Sequence, residues 1–331
     1  MHITLLFKNI FFKIFTFLII FRKISKGDTM YDYTKLNSLL NDRHLTKQDL
    51  NKTLSISSKT LAKINKNKKI SNIVLSKIAN YLECSILDLY EIKSSNILLQ
   101  QLRDEKQNKI SNGIYHELQV RMTYNSNHIE GSTLTEDQTR LIFETNTIDC
   151  DNVLVDDIIE TVNHFRAIDY VIDIAEIELN EEIIKHLHFL LKQSTKDSTL
   201  EWFNVGEYKQ KANFVGGMQT TSPSNVSYAI KNLLNNYNNK QDVSINDIIE
   251  FHYNFETIHP FQDGNGRVGR LIALKECLRF NLVPFIIEDS KKLFYYRGLK
   301  EWTNEKGYLI DTCLDGQDTF KALLQYLDIK Y

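Results

Sequence analysis

The most informative stretch of this chain reads His259-Pro-Phe-Gln-Asp-Gly-Asn-Gly-Arg-Val-Gly-Arg270. Apolar residues recur at helical spacing before it, and Pro260 prevents that helix from continuing. The apolar pattern resumes at Val268 and Leu271, which predicts a second helix that begins near Arg267. His259 is therefore expected where a buried helix gives way to a loop, and the loop is expected to lead into the N-terminus of the next helix.

The loop combines residue types that suit a phosphate-bearing substrate. A neutral His259 can accept a proton near pH 7, as a general base must. Asp263 offers the hard oxygen that Mg²⁺ prefers when it also contacts substrate phosphates. Gly264-Asn265-Gly266 tolerates positive φ, so its backbone N–H groups are expected to converge on an anion. Arg267 and Arg270 are expected to bind different phosphates. Each residue alone also fits an ordinary turn with solvated charges, but their combination favours a site.

The segment resembles the Fic family motif, His-x-Phe-x-(Asp/Glu)-Gly-Asn-Gly-Arg-x-x-Arg, at every defined position. Proteins of this family are mostly AMP transferases, which move AMP from ATP to a Ser, Thr or Tyr hydroxyl of a target protein and release pyrophosphate. The resemblance implies that His259 deprotonates the hydroxyl and that Asp263 holds Mg²⁺ between the α- and β-phosphates. It also implies that Gly264, Asn265 and Gly266 cradle the phosphates, while Arg267 and Arg270 stabilise the departing pyrophosphate.

A second segment, Ser126-Asn-His-Ile-Glu130-Gly131, closes a helix predicted over about 114–131, and Gly131 is a natural helix stop. Taken alone, it is an ordinary capped helix end. It nevertheless matches the Ser/Thr-x-x-x-Glu-Gly/Asn pattern of auto-inhibited Fic proteins. The resemblance implies that Glu130 pairs with Arg270, so that ATP binds unproductively. That contact can form within one chain or between the copies of a homo-oligomer.

Glycines also bracket the segment from Gly206 to Gly217, which predicts a β-hairpin. In the Fic family, a hairpin flap at this place binds the target as an added strand. The resemblance therefore points to Lys209, Asn213 and Phe214 as flap residues. Lys209 stands where the family pattern has arginine, and a plain surface hairpin is the alternative interpretation.

Composition favours a cytoplasmic protein with about two domains, because 331 residues with 42% hydrophobic content can bury a large core. The four cysteines, Cys84, Cys150, Cys277 and Cys313, show no paired spacing. We therefore expect reduced thiols, not a disulfide framework or a zinc site.

Residues 30–94 are predicted to form a separate basic module, because nine basic residues and one acid lie between Arg43 and Lys77. The helix spacing resembles a Cro/C1-type helix-turn-helix domain. The third helix would then present Ser58, Lys59 and Lys63 to the DNA major groove, with Lys47 and Gln48 near phosphates. A small helical bundle that docks another protein is the alternative.

The first 29 residues are expected to be a translated leader that the native protein lacks. Lys26-Gly27-Asp28-Thr29-Met30 can be encoded by AAA GGA GAY ACN ATG, which places a ribosome-binding sequence before a start codon. We therefore expect the native chain to begin at Met30, which the intact mass of the native protein would reveal. The alternative is a membrane anchor with Arg22, Lys23 and Lys26 on the cytoplasmic side. A membrane location is not favoured, because the longest uncharged run, Ile14 to Phe21, is too short to span.

Together these features predict a mainly all-α protein, in which a helix-turn-helix bundle precedes a Fic domain over residues 95–331 with a short hairpin flap. The predicted activity is transfer of AMP from ATP, with Mg²⁺, to a hydroxyl of a target protein, and residues 30–94 are expected to bind DNA. Two alternatives stay open. One is a DNA-binding transcriptional regulator whose Fic domain senses nucleotide, and the other is removal of AMP from proteins.

Overall fold

The computed structural model describes residues 30–93, 96–149, 153–215 and 218–331. The predicted leader over residues 1–29, the hairpin glycines Gly216 and Gly217, and Cys150 lie outside these ranges. The described residues up to Gln100 form one compact unit, and those from Gln101 onward form another. As predicted, both units are mainly helical.

The first unit is a bundle of short helices. Its elements are β1 (Met30–Asp32), α1 (Thr34–Asp42), α2 (Lys47–Leu54), α3 (Ser58–Asn65), α4 (Asn72–Tyr81), a 3₁₀ turn (Ile86–Asp88) and β2 (Glu91–Lys93). Thr46 caps α2 in a capping box with Asp49, and Ser57 caps α3 by accepting from the backbone N–H of Thr60. Each cap satisfies an orphan N–H group, which explains why these helices begin at these residues. Leu36, Leu50, Leu75 and other apolar side chains form a closed core.

The bundle also contains a strand pair that the helical pattern did not predict. β1 and β2 pair antiparallel, with Tyr31 opposite Ile92. The rings of Tyr31, Tyr33 and Tyr90 pack together beside this pair. Three-residue strands leave no readable alternation, so only the tertiary contact defines them.

The second unit is a helical domain with one small hairpin. Its helices are α5 (Ile97–Asn108, which begins in the first unit), α6 (Ile114–Ile129), α7 (Glu136–Thr145), α8 (Val155–Ile174), α9 (Glu181–Lys192), α10 (Pro223–Asn238), α11 (Ile245–Ile258), α12 (Asn265–Arg279), α13 (Lys292–Glu301) and α14 (Gly307–Tyr326). Two 3₁₀ turns, Lys196–Thr199 and Asp289–Lys291, and the strands β3 (Phe214–Val215) and β4 (Met218–Gln219) complete it.

Helix α12 is the centre of the second unit, because every residue from Asn265 to Leu278 is buried. A helix buried on all sides is normally apolar, yet this one carries charged side chains. Lys275 and Glu276 are paired 2.7 Å apart, and Lys275 also donates to the carbonyls of Ala175 and Ile177. Arg267 and Arg270 project from its first two turns, where α6 and α8 supply their partners. The fold therefore keeps the N-terminal end of its central helix polar.

Among the described residues, no helix is both long enough and apolar enough to cross a membrane. The described cysteines Cys84, Cys277 and Cys313 are free thiols, in agreement with the prediction.

Candidate active site

His259 occupies the turn between α11 and α12. Its backbone is left-handed, with φ 52°, and its N–H group donates to the carbonyl of Phe255, which ends α11. Pro260 follows and Phe261 is fully buried, stacked on the ring of His188 at 4.0 Å. The helix break predicted from Pro260 is thus confirmed, and the buried Phe261 fixes the loop that carries His259.

The imidazole of His259 is oriented by a backbone carbonyl. Nδ1 lies 3.3 Å from the carbonyl oxygen of Glu256. A carbonyl can only accept a hydrogen bond, so Nδ1 carries the proton and Nε2 is left as the acceptor. Burial lowers the pKa of His259 to about 4, which keeps the imidazole neutral at pH 7. The side chain therefore has the tautomer and the charge state of a general base.

A second carboxyl group, Glu256, lies beneath the loop. Burial raises its pKa to about 8, so it is mostly protonated at pH 7. A Cβ on Gly269 would fall 2.5 Å from Glu256 Oε1 and 2.8 Å from His252 Nδ1. Because Gly269 has no side chain, α12 leaves room for Glu256 and His252 of α11, which were not identified as site residues from the sequence.

Arg270 is held by the end of α6. Its Nη2 lies 2.7 Å from Glu130 Oε1 and 2.9 Å from the carbonyl of Ser126, while Nε donates to Ser126 Oγ at 2.9 Å. The arginine is buried, and burial disfavours its charged form, but Glu130 outweighs this effect and raises its pKa. Gly131 has φ 104°, the left-handed conformation predicted for the residue that ends this helix. The contact forms within one chain.

The carboxylate of Glu130 also reaches over the first turn of α12. A Cβ on Gly266 would fall 2.1 Å from Glu130 Oε1. The unpaired N–H groups of a helix N-terminus attract anions, and here the nearby anion is a side chain of the protein itself. Glu130 therefore lies in the region where the sequence predicted substrate phosphates.

Arg267 and Asp263 belong to a separate set of ion pairs. Arg267 contacts Glu160 of α8, and its Nη2 lies 3.4 Å from Asp263 Oδ2. Lys192, at the end of α9, lies 2.5 Å from Glu160 Oε1 and 2.7 Å from Asp263 Oδ2. Burial would raise the pKa of Asp263, but Arg267 and Lys192 hold it far below its usual value. Asp263 is therefore a carboxylate at every working pH.

The turn that was predicted to bind phosphates differs from the prediction in two respects. Gly264 has positive φ (77°), but Asn265 and Gly266 already belong to α12, so this helix begins two residues earlier than predicted. The Asn265 side chain accepts from the backbone N–H of Phe261 at 2.8 Å and donates to its carbonyl at 2.9 Å. Asn265 thus fastens the loop, and the N–H groups of the helix end are left to face an anion.

The hairpin lies later in the chain than the glycine spacing predicted. β3 and β4 pair Phe214 with Gln219, whereas the residues from Gly206 to Asn213 are irregular. They run alongside the loop that carries His259 instead of pairing as a strand. The Lys209 N–H donates to the Pro260 carbonyl at 2.9 Å, and Asn213 Nδ2 donates to the Phe261 carbonyl at 3.1 Å.

Lys209 is buried and fastens the base of the hairpin. Its Nζ donates to Asn213 Oδ1 at 2.7 Å and to Thr220 Oγ1 at 2.6 Å, and burial lowers its pKa to about 8. Phe214 is 69% exposed at the start of the hairpin. Of the three predicted flap residues, two are therefore internal ties, and only Phe214 presents its side chain to solvent.

The third helix of the first unit presents an exposed basic face. Ser58, Lys59 and Lys63 are exposed on α3, and Gln48 is exposed on α2. Lys47 differs from them because its Nζ donates to Asn65 Oδ1 at 2.6 Å, which ties α2 to α3. Four of the five residues predicted to approach DNA are thus open to solvent.

Three ionisable residues of the site, Glu160, Lys192 and Glu256, were missed in the sequence. Glu160 and Lys192 lie far along the chain from the motif, on amphipathic helices where a charge is usually solvated. Their spacing offered no signal, because a helix-to-helix contact is set by tertiary packing. Glu256 is three residues before His259, and its position on a buried helix was the one available clue.

Acid should destabilise this unit, because four histidines are kept neutral when it is folded: three are buried, and His259 is partly exposed. Burial lowers the pKa of His188 and His252 to about 3 and of His259 to about 4, and it lowers that of His164 well below its usual value. The unfolded chain binds these protons near pH 6.5, so stability falls as the pH drops from there toward the folded pKa values. Glu256 acts oppositely: its contribution is full below about 4.5 and is lost as the pH rises through about 8.

Because four histidines outweigh one carboxyl group, we expect the thermal unfolding midpoint to be at least about 5 °C lower at pH 5 than at pH 7. Circular dichroism on the full chain measures it. In the His252→Gln variant, position 252 cannot take up a proton, so the unfolding midpoint should fall by less between pH 7 and pH 5. Equal midpoints at the two pH values would show that these histidines are not buried as neutral groups.

Two parts of the chain match family models. Residues 178–277 match the Fic/DOC family, and residues 35–95 match the Cro/C1-type HTH DNA-binding domain. The first range includes the complete loop from His259 to Arg270, and the second includes α2 and α3.

Relatives and solved structures agree with the first of these matches. Protein adenylyltransferase Fic of Drosophila mojavensis is 28% identical over 185 residues, which make up 54% of this chain and 35% of that protein. The Drosophila persimilis protein of the same name is 29% identical over 185 residues, with the same coverage. The chain thus spans about a third of the length of these curated relatives.

Among solved structures, a Fic-domain signalling protein from Bacteroides thetaiotaomicron aligns with a TM-score of 0.52 and 25% identity, covering 69% of this chain and 90% of that one. A fragment of Fic-1 from C. elegans aligns with a TM-score of 0.55 and 19% identity, covering 70% and 71%. The second likeness is one of fold. Residues 178–277 therefore carry a Fic/DOC-type domain, and residues 35–95, ahead of it in the chain, carry a Cro/C1-type helix-turn-helix domain.

Proposed function

We propose that the Fic domain transfers AMP from ATP to a Ser, Thr or Tyr hydroxyl of a target protein. The observation that carries this proposal is that a neutral His259, with Nε2 free to accept a proton, lies in the loop that ends at the polar N-terminus of α12. The relatives named protein adenylyltransferase support the same reaction.

In the proposed reaction, His259 Nε2 takes the proton of the target hydroxyl while the hydroxyl oxygen attacks the α-phosphorus. The bond between the α-phosphorus and the bridging oxygen breaks, and pyrophosphate leaves. The backbone N–H groups of the α12 N-terminus and the two motif arginines offset the charge that develops. The negative charge of the bound triphosphate would also raise the pKa of His259 from about 4 toward the range where a general base works well.

Asp263 fits the role of a Mg²⁺ ligand. It is an ionised carboxylate whose side chain is 50% exposed, and hard cations that bind nucleotides commonly use one or two carboxylates together with phosphate oxygens. Within the described residues, no group of three or more His, Cys, Asp or Glu side chains gathers around one point, so the donor set suits a cation that arrives with ATP. Mg²⁺ held there would neutralise phosphate charge.

Glu130 restrains this reaction in our proposal. An arginine that already holds a carboxylate at 2.7 Å cannot fully bind a phosphate, and the Glu130 carboxylate repels the triphosphate. ATP would therefore bind with its terminal phosphates displaced. Any factor that moves the end of α6 would release Arg270.

The proposal is tested by incubating the full chain and its Glu130→Gly variant with a lysate and ATP labelled at either the α- or the γ-phosphate. We expect label from the α-position in protein, more of it with the variant, and none from the γ-position. Label from the γ-position would indicate phosphoryl transfer and contradict the proposal, as would absence of label from both forms.

We further propose that residues 30–94 bind DNA through α3. Lys59 and Lys63 are exposed on the helix that a Cro/C1-type domain places in the major groove. Because lysines mainly contact phosphates, they contribute affinity more than sequence readout.

Lys59→Ala and Lys63→Ala should each weaken DNA binding and lower the slope of log affinity against log salt by about 1. Lys77→Ala is the matched control, since Lys77 is an exposed lysine on α4, outside the DNA-reading helix. The measurement is a fluorescence anisotropy titration of the full chain with duplex DNA between about 50 and about 200 mM salt. Affinity that does not change over this range would favour a protein-docking bundle instead.

A second candidate is a transcriptional regulator whose Fic domain only senses nucleotide. The Glu130–Arg270 pair favours it, because this contact would keep transfer low in the resting chain. The two candidates differ in what the Glu130→Gly variant does: a pure sensor gains no labelling, but its DNA affinity changes when ATP is added.

A further inference from the structure

Lys192 is a fully buried cation that the proposed reaction does not use. Its side chain is 3% exposed at the end of α9, and its Nζ lies 2.5 Å from Glu160 Oε1 and 2.7 Å from Asp263 Oδ2, with Asp197 Oδ2 farther away at 3.8 Å. The ring of Phe203 lies 5.6 Å away and closes off one side. Burial removes most of the water from the ammonium group, and ion pairs with the neighbouring carboxylates must offset this loss of hydration.

Four charges alternate around this position. Glu160 holds Lys192 and Arg267, and Asp263 is shared by the same two cations. Within this ring two carboxylates balance two cations, and the partly exposed Asp197 lies outside it, 3.8 Å from Lys192 Nζ. The side chains of Lys192, Arg267 and Glu160 are only 3%, 4% and 14% exposed. The side chain of Asp263 is 50% exposed. Asp263 is therefore the member of the ring that an incoming ligand can reach.

The reachable carboxylate is also the one expected to hold a divalent cation. A cation bound to Asp263 would share its carboxylate with the ammonium group of Lys192, and two positive charges at this separation repel each other. Either Nζ must move away from Asp263 or the bound cation must tolerate the repulsion. In both cases Lys192 opposes the divalent cation.

We propose that Lys192 is a positioning residue that neutralises and orients Asp263 before ATP arrives, and that it then competes with Mg²⁺ for this carboxylate. The inference rests on the proposed function, because it requires ATP and a divalent cation to bind at Asp263. Glu160 compensates part of the positive charge in this arrangement, since it pairs with both Lys192 and Arg267.

The proposal predicts opposite effects for the two buried partners. Lys192→Met removes a competing positive charge, so about tenfold less Mg²⁺ should be needed for half-maximal enhancement of ATP binding. Glu160→Gln leaves the ring with an excess positive charge, so more Mg²⁺ should be needed. Lys192→Arg keeps the charge and should behave like the wild type. In EDTA, Lys192→Met should bind ATP more weakly than the wild type, because Asp263 then lacks one of its two cation partners and its carboxylate repels the triphosphate more strongly.

The test is isothermal titration calorimetry of ATP binding to the full chain over a series of Mg²⁺ concentrations and in EDTA. Thermal unfolding of each variant shows whether it is folded. General structural damage would change the Mg²⁺ requirement of both single variants in the same direction, whereas competition at Asp263 changes it in opposite directions. If Lys192→Met does not fold, the double variant Lys192→Met/Glu160→Gln, which removes one charge of each sign, should still need less Mg²⁺ than the wild type.

An unchanged Mg²⁺ requirement in Lys192→Met, or a shift in the same direction as in Glu160→Gln, would overturn the inference about Lys192 alone. In that case ATP binding itself would persist. Failure of the wild-type chain to bind ATP at any Mg²⁺ concentration would instead contradict the proposed function, and with it the inference.

Discussion

Replacing His259 with alanine in the Glu130→Gly background should lower AMP transfer by about 10²–10⁴-fold, the range that a positioned general base contributes. The reason is specific to Nε2: Nδ1 is engaged with the Glu256 carbonyl, so one nitrogen is left to take the hydroxyl proton. The measurement is the initial rate of label incorporation from α-labelled ATP.

Three controls separate loss of the base from loss of structure. The variant should keep its affinity for ATP, its affinity for DNA and its unfolding midpoint, since His259 is a partly exposed loop residue. His259→Gln should be as inactive as the alanine variant, because an amide cannot act as a base at this pH. Transfer at the rate of the parent protein in either variant would remove His259 from this role.

Glu130→Gly should raise AMP transfer by roughly 10–100-fold, within the range of ordinary coupling energies between sites. The substitution removes the carboxylate from Arg270, but the two bonds from the guanidinium to Ser126 remain. Arg270 is thus kept in place while its charge becomes available to a phosphate. The space beside Gly266 that the carboxylate occupies is opened by the same change.

Glu130→Gln is the matched variant, because it preserves the shape of the side chain and removes its charge. We expect its rate of AMP transfer to lie between those of the wild type and Glu130→Gly, since the amide still fills the space beside Gly266. Asp137→Asn, which changes an exposed carboxylate in the first turn of α7, should leave the rate unchanged. Equal rates for the wild type and Glu130→Gly would mean that the pair does not restrain transfer.

The sequence predicted those parts of the site that depend on local chemistry. Pro260 ends α11, and Gly131 and Gly264 adopt left-handed conformations, because each of these features is decided within a few residues. The Glu130–Arg270 contact was inferred from a family resemblance, since nothing in the intervening sequence indicates it.

Features that depend on packing between distant helices were not predictable. The Glu160–Lys192 pair brings two helices to the motif loop, and its charges look solvated in the sequence. The hairpin was predicted at the wrong place because Lys209 is buried against the loop that carries His259. This contact prevents the residues before Lys209 from pairing as a strand. Asn265 was assigned to phosphates, but its amide closes the loop onto Phe261 with two hydrogen bonds.

The most direct test of the central claim is a double-mutant cycle of Glu130→Gly and Arg270→Ala on the rate of AMP transfer. If Glu130 acts by occupying Arg270, its removal should accelerate the wild-type chain strongly and should have almost no effect once Arg270 is absent. An equal acceleration in both backgrounds would show that Glu130 acts independently of Arg270, which would contradict the account.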